Sequence, residues 1–364
     1  MVPKSRIENL PPYKPGKQVE EVKREYNLQE VIKLASNENP YGCSIRVKET
    51  LMVAINQLEV YPDGGSGELR TSLSRFLNVS KEQLIFGNGS DEIIQMISRA
   101  YLDSSVETIM ATPTFPQYKS NAIVEGANFL EIPLIKGKHD LEAMRKAITP
   151  FTRVIWICNP NNPTGTIVSE NELIHFLEHI PKDILVVLDE AYYEYVTDQE
   201  YPNSIPLIAN YPNLIILRTF SKIYGLASLR IGYGISSPYV IDILNRVREP
   251  FNNTTLSQKG AIAALNDQQF IHYCKEENQK GLNQLYQGFD QLGFTYYRSQ
   301  GNFVLVDVGQ PANEVFLGLI EKGVIVRSGE ALGFPTSLRI TVGNKEQNTK
   351  VLNAISELVS TKVV

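Results

Sequence analysis

From about residue 84 onwards the chain alternates short apolar runs with helical patterns, and that rhythm restricts its fold more than any other feature. The runs are LIFG, TIMATP, RVIWICNP, ILVVLDEAY, LIILRTF and RIGYGIS, with SDEIIQMISRAYL and SENELIHFLEHI spaced as helices between them. Strands separated by helices predict an α/β unit with a mostly parallel sheet, because parallel neighbours need a crossover connection. Several runs are apolar on consecutive residues, the pattern of strands covered on both faces.

Beyond Pro250 the character shifts. Ser257 to about Leu292 has helical spacing, and FTYYR, NFVLVDV, VIVRSG and SLRITVG surround one further helix, NEVFLGLIEKG, as in a smaller α/β unit. The first forty residues are rich in proline and charge. The expected division is an arm over 1–40 that joins the small unit, a large unit over 41–250 and a small unit over 251–364. A chain of 364 residues suits it, since single cores rarely grow to that size.

The formal charge of −5 argues against a nucleic-acid or anionic-membrane partner, so any anion must be held by a local site. No apolar stretch approaches spanning length, and the opening MVPKSRIENLPPYKPGK lacks the apolar core of a signal or anchor. Cys43, Cys158 and Cys274 stand far apart with no C-x-x-C pair, which suits a reducing compartment and a cytoplasmic protein. His175 and His179 have zinc-ligand spacing, but without a third ligand of the H-E-x-x-H kind they are taken as ordinary helix histidines, and no metal is expected.

Four segments carry candidate chemistry. In LRTFSKIYGLASLRIGY, Lys222 follows an apolar strand and is flanked by Thr219, Ser221 and, eight residues on, Arg230. Partial desolvation there lowers a lysine's pKa and frees the amine for an imine, although most loop lysines are solvated surface charges. Asp189 closes the strand of ILVVLDEAYYEY, where an α/β sheet presents ligand-binding groups; a helix cap or ion pair is the alternative. Together, a lysine for the imine, Asp189 for a ring nitrogen and Tyr192 for a ring oxygen compose an electron-sink cofactor site. GNGSDEII places the amides of Ser90, Asp91 and Glu92 at a helix start, a phosphate cradle or a plain cap. CNPNNPTG is a turn after a strand from which Asn162 can reach a ring oxygen, or which is structural alone.

SNENPYG, YPDGGSGELR, GNGSDEII, NPNNPTG, LDEAY, TFSKIYGLASLRIGY and LRITVG stand in one order across almost the whole chain. The set resembles the fold-type I pyridoxal-phosphate aminotransferases, and PYKPGK with SNENPYG sets the likeness within the histidinol-phosphate aminotransferase family, apart from the aspartate aminotransferases. The resemblance implies a fold-type I architecture: a large domain with a mostly parallel seven-stranded sheet, and a smaller α/β C-terminal domain. It implies pyridoxal 5'-phosphate anchored on Lys222, with Asp189 at the pyridine nitrogen and Asn162 and Tyr192 at the ring oxygen. Ser90, Asp91, Glu92, Thr219, Ser221 and Arg230 would bind the phosphate, and Tyr61 would reach it from the partner subunit of a homodimer. Phe115 falls where the family stacks an aromatic ring on the cofactor, with Tyr118 as the other candidate and core packing as the plain alternative for both. Arg339 and Arg327 would read the substrate's anion, and Tyr13 and Asn39 would line the same pocket.

The implied reaction is L-histidinol phosphate plus 2-oxoglutarate giving imidazole acetol phosphate plus L-glutamate, in histidine biosynthesis, with aromatic amino acids as further donors. A phospho-amino-acid decarboxylase on the same scaffold would keep the same lysine, aspartate and arginines. A cofactor-binding regulator is a different class, against which stand the filled catalytic positions and the lack of an appended basic DNA-reading domain.

Overall fold

The computed structural model of the chain describes residues 2–8, 10–12 and 16–360. A short strand, β1 (Ile32–Lys33), comes first. Seven strands follow in the main sheet: β2 (Leu84–Gly87), β3 (Glu107–Thr112), β4 (Asn128–Pro133), β5 (Thr152–Cys158), β6 (Leu185–Asp189), β7 (Leu214–Thr219) and β8 (Gly232–Ile235). Their order is β2-β8-β7-β6-β5-β3-β4, and β8 alone runs against the others. The sheet is therefore mixed but mostly parallel.

Consecutive apolar residues of its central strands serve opposite faces. Ile155, Ile157, Val186, Leu188 and Ile216 enter one core cluster, while Val154, Trp156, Leu185, Val187, Ile215 and Leu217 enter another across the sheet. Side chains alternate across a strand, so a strand apolar at every position must be covered on both sides. β4 lies at the sheet edge with a half-exposed pattern, and none of the apolar runs marked it.

The smaller sheet contains β9 (Thr295–Tyr296), β10 (Phe303–Asp307), β12 (Arg327–Ser328) and β13 (Ser337–Thr341), in the order β12-β13-β10-β9 and antiparallel throughout. β1 pairs in parallel with β11 (Val324–Ile325), and Leu34 enters the small core with Leu338 and Ile340. The helical stretch after Pro250 is two helices, Thr255–Leu265 and Gln268–Gln291, with Asp267 capping the second. Ala261, Ala264, Ile271 and Cys274 belong to the large core, whereas Leu282, Leu285, Tyr286 and Phe289 belong to the small one. The core changes inside the second helix, some way beyond the composition shift at Pro250. Among the described residues, no helix is long and apolar enough to cross a membrane.

Candidate active site

Three parallel strands, β5, β6 and β7, end side by side, and a cavity of about 500 Å³ opens beyond their C-terminal ends. That is where parallel α/β sheets place ligands, because helix starts and strand-end loops converge there. Ser90, Asp91, Phe115, Asn162, Asp189, Tyr192, Thr219, Ser221, Lys222, Arg230, Arg327 and Arg339 all line it.

One end is built to hold an anion. The helix Ser90–Tyr101 starts there behind Gly89, at φ 78°, and its first amides have no partner within the helix. Arg230 closes the cup: its guanidinium donates to Ser221 Oγ at 3.4 Å and pairs with Asp91 at 3.4 Å. Thr219 Oγ1 donates to Ser221 Oγ and accepts from the Ser221 amide, so both hydroxyls stay on this wall. A Cβ at Gly89 would lie 2.5 Å from Arg230, and one at Gly232 2.4 Å from the Ser90 amide, so both glycines keep the cup open. Glu92 faces elsewhere with its side chain. Its carboxylate turns away to the Asn88 amide at 2.5 Å and Asn252 at 2.7 Å, leaving only the backbone amide for an anion.

At the far end Asp189 is 3 % exposed, and burial raises its pKa from 3.8 to about 6. The Tyr118 hydroxyl donates to it at 2.7 Å and works in the opposite direction, favouring the carboxylate. Tyr118 lies wholly behind the wall, stacked on Trp156, while Phe115 stands edge-on to it and lines the cavity. Phe115 is thus the ring on the cavity side, and Tyr118, the other candidate for that place, is instead a partner of Asp189.

Lys222 lines the same cavity. Burial first, and the positive charge of Arg339 second, lower its pKa from 10.5 to about 8. Its amine donates to the Ser36 carbonyl at 3.2 Å and lies 5.7 Å from the centre of the Tyr192 ring. Arg339 donates to Asn162 Oδ1 at 2.8 Å and to the Ala35 carbonyl at 2.6 Å. Tyr192 is buried with its oxygen 2.9 Å from Asn37 Nδ2 and 3.5 Å from Asn162 Nδ2.

Asn39 does not line the cavity. It donates to the Ile223 carbonyl at 2.7 Å and to Cys274 at 3.3 Å; Asn37, two residues earlier and unmarked by sequence reasoning, stands in its place. Tyr13 lies outside the described residues. Tyr61 stands away from the cavity of its own chain, 79 % exposed and stacked on Phe251.

The remaining motif residues are structural. Asn159 makes a reciprocal pair with the Val168 backbone, and Asn161 gathers Thr114, His139 and Thr164. Glu190 forms a buried ion pair with Arg218 at 2.8 Å that joins the ends of β6 and β7. His175 and His179 do find a third donor in space, Glu178, all three atoms lying within 4.8 Å. All three residues are exposed, and His179 Nδ1 is bonded to the His175 carbonyl.

A strand-end lysine, a buried carboxylate and an anion cup on one cavity define the class: residues 29–355 match the family model of class I and II aminotransferases. Over 359 residues the chain is 57 % identical to the histidinol-phosphate aminotransferase of Geobacillus sp. (strain WCH70), covering 99 % of this chain and 98 % of that protein. Identity to the Bacillus subtilis (strain 168) enzyme of the same name is 58 % over 357 residues, with 98 % and 99 % covered. The chain belongs to the histidinol-phosphate aminotransferase family. Its fold superposes on the crystal structure of the Sinorhizobium meliloti histidinol-phosphate aminotransferase in complex with pyridoxal-5'-phosphate at a TM-score of 0.90, with 25 % identity and 98 % and 97 % of the chains covered.

Proposed function

We propose that this chain transfers the amino group of L-histidinol phosphate to 2-oxoglutarate with pyridoxal 5'-phosphate as cofactor, giving imidazole acetol phosphate and L-glutamate in histidine biosynthesis. The observation that carries the reading is the gathering of these groups on one cavity: an anion cup, a depressed-pKa lysine, a buried carboxylate and two further arginines. The cup fits a phosphate and Asp189 fits a protonated ring nitrogen.

Bound pyridoxal phosphate supplies an electron sink for negative charge at the substrate's α-carbon. Ser90, Thr219, Ser221, Arg230 and the first-turn amides would hold its phosphate, and Phe115 would cover its ring. Asp189 would keep the ring nitrogen protonated, Tyr118 favouring the carboxylate's charged form by hydrogen bonding. Lys222 Nζ would anchor the cofactor and, as a free neutral amine, would take and hold the proton from the substrate's α-carbon. A pKa near 8 leaves a useful neutral fraction of that amine at physiological pH. Arg339 and Arg327 take the donor's phosphate or the acceptor's carboxylate, since a guanidinium fork suits both. Aromatic amino acids are a second donor class on the same ground.

The test is the absorbance spectrum of the protein loaded with pyridoxal phosphate, before and after L-histidinol phosphate and, separately, L-tyrosine and L-phenylalanine. The visible band is expected to bleach with histidinol phosphate and more weakly with the aromatics. Bleaching with an aromatic donor alone would keep the transaminase and overturn the substrate, and no visible band would overturn the whole reading. Arg339→Ala and Arg327→Ala are each expected to weaken histidinol phosphate binding by about 10-fold or more, read from the titration of the same band.

The same reading includes a homodimer. Ile45, Met52, Val53, Leu58, Val60 and Tyr61 are all exposed on one stretch of chain, more apolar surface than an isolated subunit tends to leave in water. Light scattering should give twice the chain mass, and Tyr61→Ala should weaken cofactor retention, assayed by dialysis, without dissociating the pair. A monomer mass would remove Tyr61 from the site. The same proposal includes a cytoplasmic location, supported by three unpaired cysteines, and the division into arm, large unit and small unit.

A further inference from the structure

Asn37 makes contacts that neither the cofactor nor the substrate requires. It is 1 % exposed and held in the left-handed region at φ 56°, with its carbonyl accepting from Asn302 Nδ2 at 3.0 Å. Its backbone amide donates to Thr341 Oγ1 at 3.0 Å, and the Thr341 hydroxyl donates back to Asn37 Oδ1 at 3.1 Å. With Oδ1 committed to Thr341, Nδ2 faces Tyr192 and donates to its hydroxyl oxygen at 2.9 Å. Asn162 Nδ2 approaches the same oxygen as a second donor at 3.5 Å.

A phenol has one proton to give and two lone pairs to receive. Amide donors stand at the lone pairs of Tyr192, so among the described residues its own proton has no acceptor on that side and is left the cavity that Tyr192 lines. Were the Asn37 amide turned over, its carbonyl would face Tyr192 and draw that proton away. We propose that Asn37 is a positioning residue that aims the Tyr192 hydroxyl proton into the active-site cavity, its own amide being oriented by Thr341.

The consequence reaches across the molecule. Thr341 ends β13, two residues beyond Arg339 on the same face of that strand, while Tyr192 follows β6 of the main sheet. The strand that carries a substrate-reading arginine thereby also sets the donor that meets the cofactor's ring oxygen.

The inference rests on the pyridoxal phosphate reading and is tested by a property of the bound cofactor at rest, the pH midpoint of its visible band. A proton donated to the ring oxygen stabilises it as an anion and favours the deprotonated form, which lowers that midpoint. Tyr192→Phe and Asn37→Ala are each expected to raise it by about one pH unit. The double variant should show no further rise, because both act through one hydrogen bond. Thr341→Val, which leaves Asn37 and Tyr192 in place, should raise it in the same direction, and Thr341→Ser should restore the wild-type value. A wild-type midpoint in both Asn37→Ala and Thr341→Val, or additive shifts in the double variant, would overturn the inference while leaving the transaminase intact. If Asn37→Ala fails to fold, the threonine pair decides alone. Absence of any visible band in the wild type would overturn both.

Discussion

Replacing Lys222 with alanine is expected to lower the single-turnover conversion of histidinol phosphate by about 10⁴-fold or more, while pyridoxal phosphate still binds through its phosphate and ring contacts. The size follows from losing two roles at once, covalent anchor and proton carrier, where the second alone is typically worth ~10²–10⁴. Added methylamine should recover part of the rate, because a small free amine can enter the space and move the proton. Borohydride reduction followed by peptide mass spectrometry should find the cofactor on Lys222 in the wild type and nowhere in the variant. A variant that keeps within tenfold of the wild-type rate would end Lys222's assignment. The lowered pKa adds a pH signature: cofactor uptake by the cofactor-free protein needs the neutral amine. Its rate should climb with pH and level off near 8, well short of the 10.5 of an ordinary lysine.

Asp189→Asn is expected to cost about 10²–10³-fold in the same assay, the scale seen when a group facing developing charge is lost. Asparagine keeps the shape and can still accept from Tyr118, but it cannot hold a positive ring nitrogen. Stability should move the other way. In the folded, cofactor-free protein the Asp189 pKa stands near 6 against 3.8, so the folded state binds the proton more tightly than the unfolded one. This contribution to stability is complete below pH 3.8 and lost as pH rises through about 6. At pH 7 the variant escapes the cost of a buried charge, so its melting temperature without cofactor should exceed the wild type's. A variant both active and unchanged in melting temperature would contradict both statements.

The sequence made the main sheet legible because its central strands are covered on both faces, which leaves consecutive apolar residues that no surface strand shows. It hid β4 for the converse reason: an edge strand with Glu131 and half its residues facing out resembles a loop. Lys222, Asp189, Asn162 and Tyr192 were legible as candidates because strand ends fix where such residues point, and the structure gathers all four in one cavity. Asn37 and Asn39 could not be told apart that way. Both lie in one Asn-Glu-Asn segment, and a left-handed backbone at the first decides which side chain turns inward. Tyr118 was obscured similarly, since only the start of its helix at Gln117 shows that it passes behind Phe115 to reach Asp189.

The chain has a single tryptophan, Trp156, and its ring is stacked 4.9 Å from that of Tyr118, whose hydroxyl holds Asp189. Indole emission from this molecule is therefore a one-site signal, free of the averaging that several tryptophans impose. Its only source lies one side chain away from the carboxylate at the floor of the cavity. Evolution has left a built-in optical gauge there, through which occupancy of the site can be followed without attaching a dye.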